Sequence, residues 1–500
     1  MEPTDKQGIN ENVGLCSRIK GRIRVLFHIQ PTPRILLFFV AILIKIVASA
    51  LGGIGFVWNN STLMIIGTVV WLIWFAFLFL IAVPKTDQLL QDQMRWLKPA
   101  ALTISISFLV TGLVLLVAVS SFGLGAFQVD KLGEKPAQLI TSFEGVFAYN
   151  DATALCHQAT ENLIDGNNPY AESNVIAAMM KFGGSYDKLT PLREGRFADV
   201  FPYPTTEQIE QLWQEASQNP EQVPPELETK LSYPAGCFLL PAPFILMGVD
   251  DLRIIFLILI LPALAYVVLK APKNLRLLLI GAILISLEIW NSVAAGETGS
   301  LCFPFLLLAW VLPRKHLWLS ALFMGVAVAT KQVAWFFMPF YLILIFRTMG
   351  IRRVLSVLAI VAGVFLVFNL PFIISDPKLW LASIMAPMTD NLFPLGVGIV
   401  TLVSGGVLNI QSPLIFSVLE LFIGGLAVIW YFRYCLRYPH TGPLLAVLPL
   451  FFAWRSLWPY FFYADVIILA AIIVDEYSAK SMEQLNVAFL PSGNERVISG

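Results

Sequence analysis

Charge is what this sequence has least of. Asp, Glu, Lys and Arg together make up 13% of its 500 residues, against about 25% in a typical soluble domain. Length alone would suggest about three soluble domains, but so little charge excludes building water-facing surfaces around them. The few charges balance, 33 basic against 33 acidic, which leaves a nucleic-acid partner no electrostatic footprint. Five cysteines (Cys16, Cys156, Cys237, Cys302 and Cys435) show no CxxC spacing, so zinc, iron–sulfur and thioredoxin-like sites are excluded. Cys156 and Cys237 are the one pair that could share an oxidising compartment and a disulfide. Clustered oxygen ligands for calcium or magnesium are missing too, and no metal or other cofactor is expected. Internal repeats and low-complexity tracts are absent.

What the chain does have is apolar length. The set AVILMFWYC accounts for 57% of it, and a helix needs about 20 such residues to cross a bilayer. Apolar runs occupy 35–57, 63–83 and 100–121, then 235–249, 253–269, 277–293, 300–313, 317–330, 332–346, 353–374, 394–408, 413–435 and 442–474. The fold class is therefore an all-α polytopic membrane protein, with about 11–13 crossings at this length per span. Several runs are short, and the last can break at Trp458-Pro459. Broken helices in a membrane face protein or a watery cavity, which hints at an intramembrane site.

Residues 1–34 carry Arg18, Lys20, Arg22, Arg24 and Arg34 with no cleavable apolar core. They read as a cytoplasmic, membrane-surface segment. Lys85, Arg95 and Lys98 put the next loop on the same side, so three spans within 35–121 deliver the polar interval 122–234 to the outside. The bundle follows over 235–475 and a polar tail over 476–500. Within the interval, Leu155, Ala159 and Leu163 predict a helix over 151–165, and Thr205 with Gln208 predicts a capping box opening one at 206–217.

Ionisable residues near membrane depth cost about 2.5–3.5 kcal/mol each at a helix centre, so they are normally paired or functional. Asp151, Glu288, Glu297, Lys331, Arg455 and Asp465 stand out. Asp151 opens the external helix, and its position fits an N-cap and a general base equally. The run Gly166-Asn167-Asn168-Pro169-Tyr170 reads as a helix stop and a turn presenting an aromatic ring. Lys331 interrupts the apolar stretch 317–345, either ending a short helix at a cavity or pairing with an acid such as Glu297. Arg455 fits a bidentate phosphate ligand or a snorkelling anchor. Trp454, Trp458 and Tyr460 beside it fit sugar stacking or an interfacial aromatic belt. Arg193 and Arg196 read as a solvated pair that could also meet phosphate. His157 falls on the opposite side of its helix from Asp151, and Glu288 and Asp465 read as structural.

Taken in order, these pieces resemble a family. An aspartate early in the first large external loop, a helix and a G-x-x-P-Y turn are similar to the polytopic GT-C glycosyltransferases. Within them the pattern most resembles the glycosyltransferase family 87 type of polyprenol-phosphate-mannose-dependent mannosyltransferases. Tyr233-Pro234, Gly296-Glu297-Thr298-Gly299, Ala329-Thr330-Lys331, Asn369-Leu370-Pro371-Phe372 and Arg455-Ser456-Leu457-Trp458-Pro459-Tyr460 continue the likeness from about 140 to 475. Two features depart from it: two extra spans precede the loop, and Glu297 stands where the family more often has Gln.

The resemblance implies a GT-C-like bundle and an inverting transfer of a hexose, mannose-type, from a polyprenyl-phosphate donor at the extracytoplasmic face of the cell membrane. The acceptor would be a glycolipid or glycan. Asp151 would be the catalytic base, with Tyr170, Glu297, Lys331, Arg455, Trp458 and Tyr460 binding substrate and membrane lipids surrounding the bundle. A secondary transporter or lipid flippase is the rival reading; the large external loop and the lack of repeat symmetry count against it. A scaffold or oligosaccharide-lipid ligase subunit is a third, in which Asp151 would be freely substitutable.

Overall fold

The computed structural model describes residues 32–58, 60–92, 107, 110, 148–313 and 315–477. The expected span at 100–121, the first part of the polar interval, residues 1–31 and the tail beyond 477 lie outside the described residues, apart from the two isolated positions.

The chain is an all-α polytopic membrane protein. Among the described residues, six helices are long and apolar enough to cross a membrane, or seven if one bent pair is a single span. The first two, α1 (Pro33–Val57) and α2 (Ser61–Ala82), form an antiparallel hairpin. Thr32 caps α1 by accepting the Ile35 N–H, with Pro33 at the first helical position, and Asn60 caps α2. At their crossing, a Cβ on Gly67 would lie 2.9 Å from the Gly52 nitrogen, so only glycine lets the two backbones come this close.

Among the described residues of the polar interval, three α-helices follow: α3 (Asp151–Ile164), α4 (Val175–Lys181) and α5 (Thr206–Ala216). Thr205 and Gln208 form the expected capping box. The bundle continues with α6 (Leu252–Lys270), α7 (Arg276–Ile285), α8 (Leu287–Ala294), α9 (Gly299–Val311), α10 (Leu317–Thr330) and α11 (Val333–Met349). Then come α12 (Ile351–Ser375), α13 (Pro377–Thr389), α14 (Leu414–Tyr434) and α15 (Ala464–Ala471). Val367 and Ile374 of α12 and Leu421 and Phe422 of α14 are exposed; such apolar surface suits lipid, not water.

Several apolar runs do not form one helix. The 277–293 run bends by 47° between α7 and α8. The 235–249 run splits at Pro241 into Gly236–Leu239 and Ala242–Leu246, because proline cannot donate the hydrogen bond that would join them. The 394–408 run is not a span. Its start is a two-residue strand, β1 (Leu395–Gly396), paired in parallel with β2 (Arg455–Ser456) from the broken 442–474 run. Gly396, at φ 144°, is where a Cβ would collide with the Ser456 backbone, so glycine permits this pairing.

Buried charges tie the bundle together. Lys45 of α1 meets Asp465 of α15 at 2.6 Å and Glu288 of α8 at 2.8 Å. Ser49 donates to Glu288 at 2.7 Å. At the end of the bundle where α1 begins, Arg34 meets Asp87 at 2.9 Å and Glu476 at 2.5 Å. The polar interval sits at the other end, with Tyr203 ring-to-ring against Phe56 at 5.8 Å. Lys45→Met would leave two carboxylates buried without their cation. It should destabilise the protein by about 3–5 kcal/mol, and an unchanged melting temperature in detergent would show the ion cluster to be dispensable.

Candidate functional site

Between the polar interval and the bundle lies a cavity of about 1610 Å³. Its wall brings together Asp151, Glu297, Lys331, Arg455, Trp458 and Tyr460, residues spread over three hundred positions of sequence. Tyr170 is the exception. It does not line the cavity: its ring is buried against Phe238 and Phe372, and its hydroxyl donates to the Tyr233 carbonyl at 3.0 Å. The turn before it turns the ring inward, so Tyr170 holds Tyr233, a wall residue, in place.

Asn150, not Asp151, caps α3; its side chain accepts the Thr153 N–H at 2.8 Å. Asp151 is thus free of the capping duty and sits in the first turn, where its Oδ1 accepts the Ala152 N–H at 2.7 Å. Burial pushes its carboxyl above the ordinary carboxylate range, although the Thr190 hydroxyl, the Ala152 N–H and the Arg455 guanidinium all pull the other way. A carboxylate held in this way is a stronger base than a solvated one.

Glu297 follows Gly296, whose positive φ of 66° turns the chain between α8 and α9. The Thr153 hydroxyl donates to the Gly296 carbonyl and Asn150 bonds the Glu297 carboxylate, so the start of α3 and this turn are one unit. Lys331 does end a short helix at the cavity: α10 stops there as the backbone becomes extended. Its Nζ donates to Thr298 Oγ1 at 2.6 Å and lies 5.1 Å from the Tyr233 ring centre, while Glu297 acts on it through space.

Arg455 reaches the cavity from β2. Its Nη1 is buried and, among the described residues, has no hydrogen-bond partner. Its charge is felt by Asp151, Tyr203 and Tyr460. Guanidinium donors are rarely left idle in a buried setting, and an anion would satisfy them. No family model, curated protein or solved structure matches the chain. The site's chemistry therefore rests on its own geometry.

The arginine pair separates: Arg193 lines the cavity and donates to the Gln411 carbonyl at 3.0 Å, while Arg196 pairs with Glu215 at 2.8 Å. His157 stacks on Phe182 at 3.9 Å between ring centres and stays out of the wall. Cys156 and Cys237 lie in contact as free, buried thiols. Glu288 is structural as expected, yet it also reaches the cavity.

Sequence reasoning missed Glu228, Lys230, Asp390 and Glu420, all in the wall. Lys230 holds both Asp390 oxygens at 2.6 Å. Glu228 is pushed up to about 8, by burial first and then by its hydrogen bond with Asp390 and that group's charge. The folded protein therefore binds a proton at Glu228 between about pH 4.5 and 8 that the unfolded chain releases. Stability should fall as pH rises through that window and level off above it. Glu228→Gln should flatten that decline in a series of melting temperatures; a decline as steep as the native one would remove Glu228 as its source.

Proposed function

We propose that this protein is an inverting glycosyltransferase that moves a hexose from a polyprenyl-phosphate donor to a glycan or glycolipid acceptor on the extracytoplasmic side of a cell membrane, with its N-terminus in the cytoplasm. The observation that carries the reading is one cavity whose wall holds a buried, basic Asp151, an Arg455 guanidinium whose Nη1 has no hydrogen-bond partner among the described residues, and Lys331.

The chemistry asks for those parts. The acceptor hydroxyl oxygen forms the new bond to the anomeric carbon as its proton passes to the Asp151 carboxylate. The bond from the anomeric carbon to the phosphate oxygen breaks, and its electron pair leaves with the phosphate. Arg455, whose fork matches two phosphate oxygens, stabilises that charge, with Lys331 as a second cation. Trp458 and Tyr460 offer faces for a sugar ring. Glu297 is placed to accept a sugar hydroxyl, the role suited to a carboxylate joined to the base's own helix cap.

The transporter or flippase reading draws on the same cavity and cations, with Asp151 carrying a coupling proton instead of activating an acceptor. Purified protein given radiolabelled polyprenyl-phosphate mannose and a membrane extract separates the two: a labelled covalent product supports transfer. Movement of intact donor across the bilayer with no product would support transport instead.

A further inference from the structure

The bundle acids Glu288 and Asp465 have a cation, Lys45, which they share. Glu420 has none. It is the seventh of the 21 residues of α14, lines the cavity, and has no hydrogen bond or ion pair among the described residues. A leucine there would insert into a membrane at lower cost, so a carboxyl in a helix apolar and long enough to span one points to function.

Its surroundings define what it can hold. Leu421, Gly424 and Val428 continue the same stripe of α14 into the cavity wall, and Phe336 and Phe340 of α11 line it too. At about 1.5 Å per residue, the stripe runs on for about 12 Å past Glu420, the length of a medium hydrocarbon chain. A Cβ on Gly424 would meet only the Pro449 ring, at an ordinary 3.5 Å, so the stripe is not tightly packed there. On the polar side, Tyr460 feels the charges of both Glu420 and Arg455. A hydroxyl can donate to the Glu420 carboxylate and exchange a hydrogen bond with the Tyr460 hydroxyl of the same wall.

We propose that Glu420, with Tyr460 beside it, binds the hydroxylated head group of a lipid whose hydrocarbon tail lies along Leu421, Gly424 and Val428 against Phe336 and Phe340. The site stands without the transfer reaction, and its test needs no donor. If transfer does occur, a lipid-borne hydroxyl would be held here.

The probe is radiolabelled dodecyl glucoside, added to the full chain in phosphatidylcholine nanodiscs, whose head groups carry no hydroxyl. Saturable binding is expected, at least about tenfold weaker in Glu420→Leu through loss of one or two hydrogen bonds. Glu420→Gln, which keeps an acceptor, should stay within about threefold. Gly424→Leu, which fills the tail groove, should also weaken binding while leaving Glu420 in place. Gel filtration of each variant checks its fold. No saturable binding to the native protein, equal binding to Glu420→Leu, or an equal loss with Gln and Leu would overturn the proposal. So would stronger displacement by dodecyltrimethylammonium than by unlabelled glucoside, which would make the site one for cations.

Discussion

Asp151→Asn is expected to leave the fold intact and to cut sugar transfer by about 10²–10⁴-fold, the usual worth of a positioned base. The fold should hold because Asn150 carries the cap of α3, and an asparagine oxygen can still accept from Ala152 and Thr190. What disappears is the proton acceptor. Native activity should climb with pH along a limb displaced above the ordinary carboxylate range, in keeping with the upward push on Asp151. The residual activity of the variant should lack that limb. Initial rates across a pH series, with melting temperatures of both proteins, check this. Equal rates from the folded variant would remove Asp151 from the chemistry.

Arg455→Lys should weaken donor binding more than it harms folding. A charge-assisted hydrogen bond is worth about 1.5–3 kcal/mol, which is about tenfold to 150-fold in affinity, and lysine supplies a point charge without the fork. The segment around residue 455 is held by other groups: β2 pairs with β1 through backbone, and the Trp454 indole donates to the Leu392 carbonyl at 2.7 Å. Arg455 itself gives its Nη1 to no described partner. A raised KM for donor at an unchanged melting temperature is the expected pattern. An unchanged KM would shift the phosphate role to Lys331.

The fold class was legible because the signal is local: low charge and long apolar runs. Helix starts at Thr205 and near 151 were legible for the same reason, each resting on residues three or four apart. Of the two readings open for Asp151, the cap falls to its neighbour Asn150, since Asn and Asp stand side by side and both cap well. Cavity residues such as Lys331 and Arg455 stood out because charge is costly in an apolar stretch. Partners were another matter. Lys45 and Asp465 are 420 residues apart and Ser49 and Glu288 are 239 apart, so no spacing rule links them. Glu420 met the same criterion as Glu288 and could have been found by it. The 394–408 run had the hydropathy of a span, but its glycines serve a close backbone pairing that only the folded chain reveals.

The most direct test is transfer itself. Native protein in nanodiscs would be incubated with radiolabelled polyprenyl-phosphate mannose and a lipid and glycan extract, and the anomeric configuration of any labelled product would be read by NMR. The account predicts a glycosylated product of inverted configuration from the native chain and next to none from Asp151→Asn. A product of retained configuration, or no covalent product while the cavity demonstrably binds the donor, would contradict it.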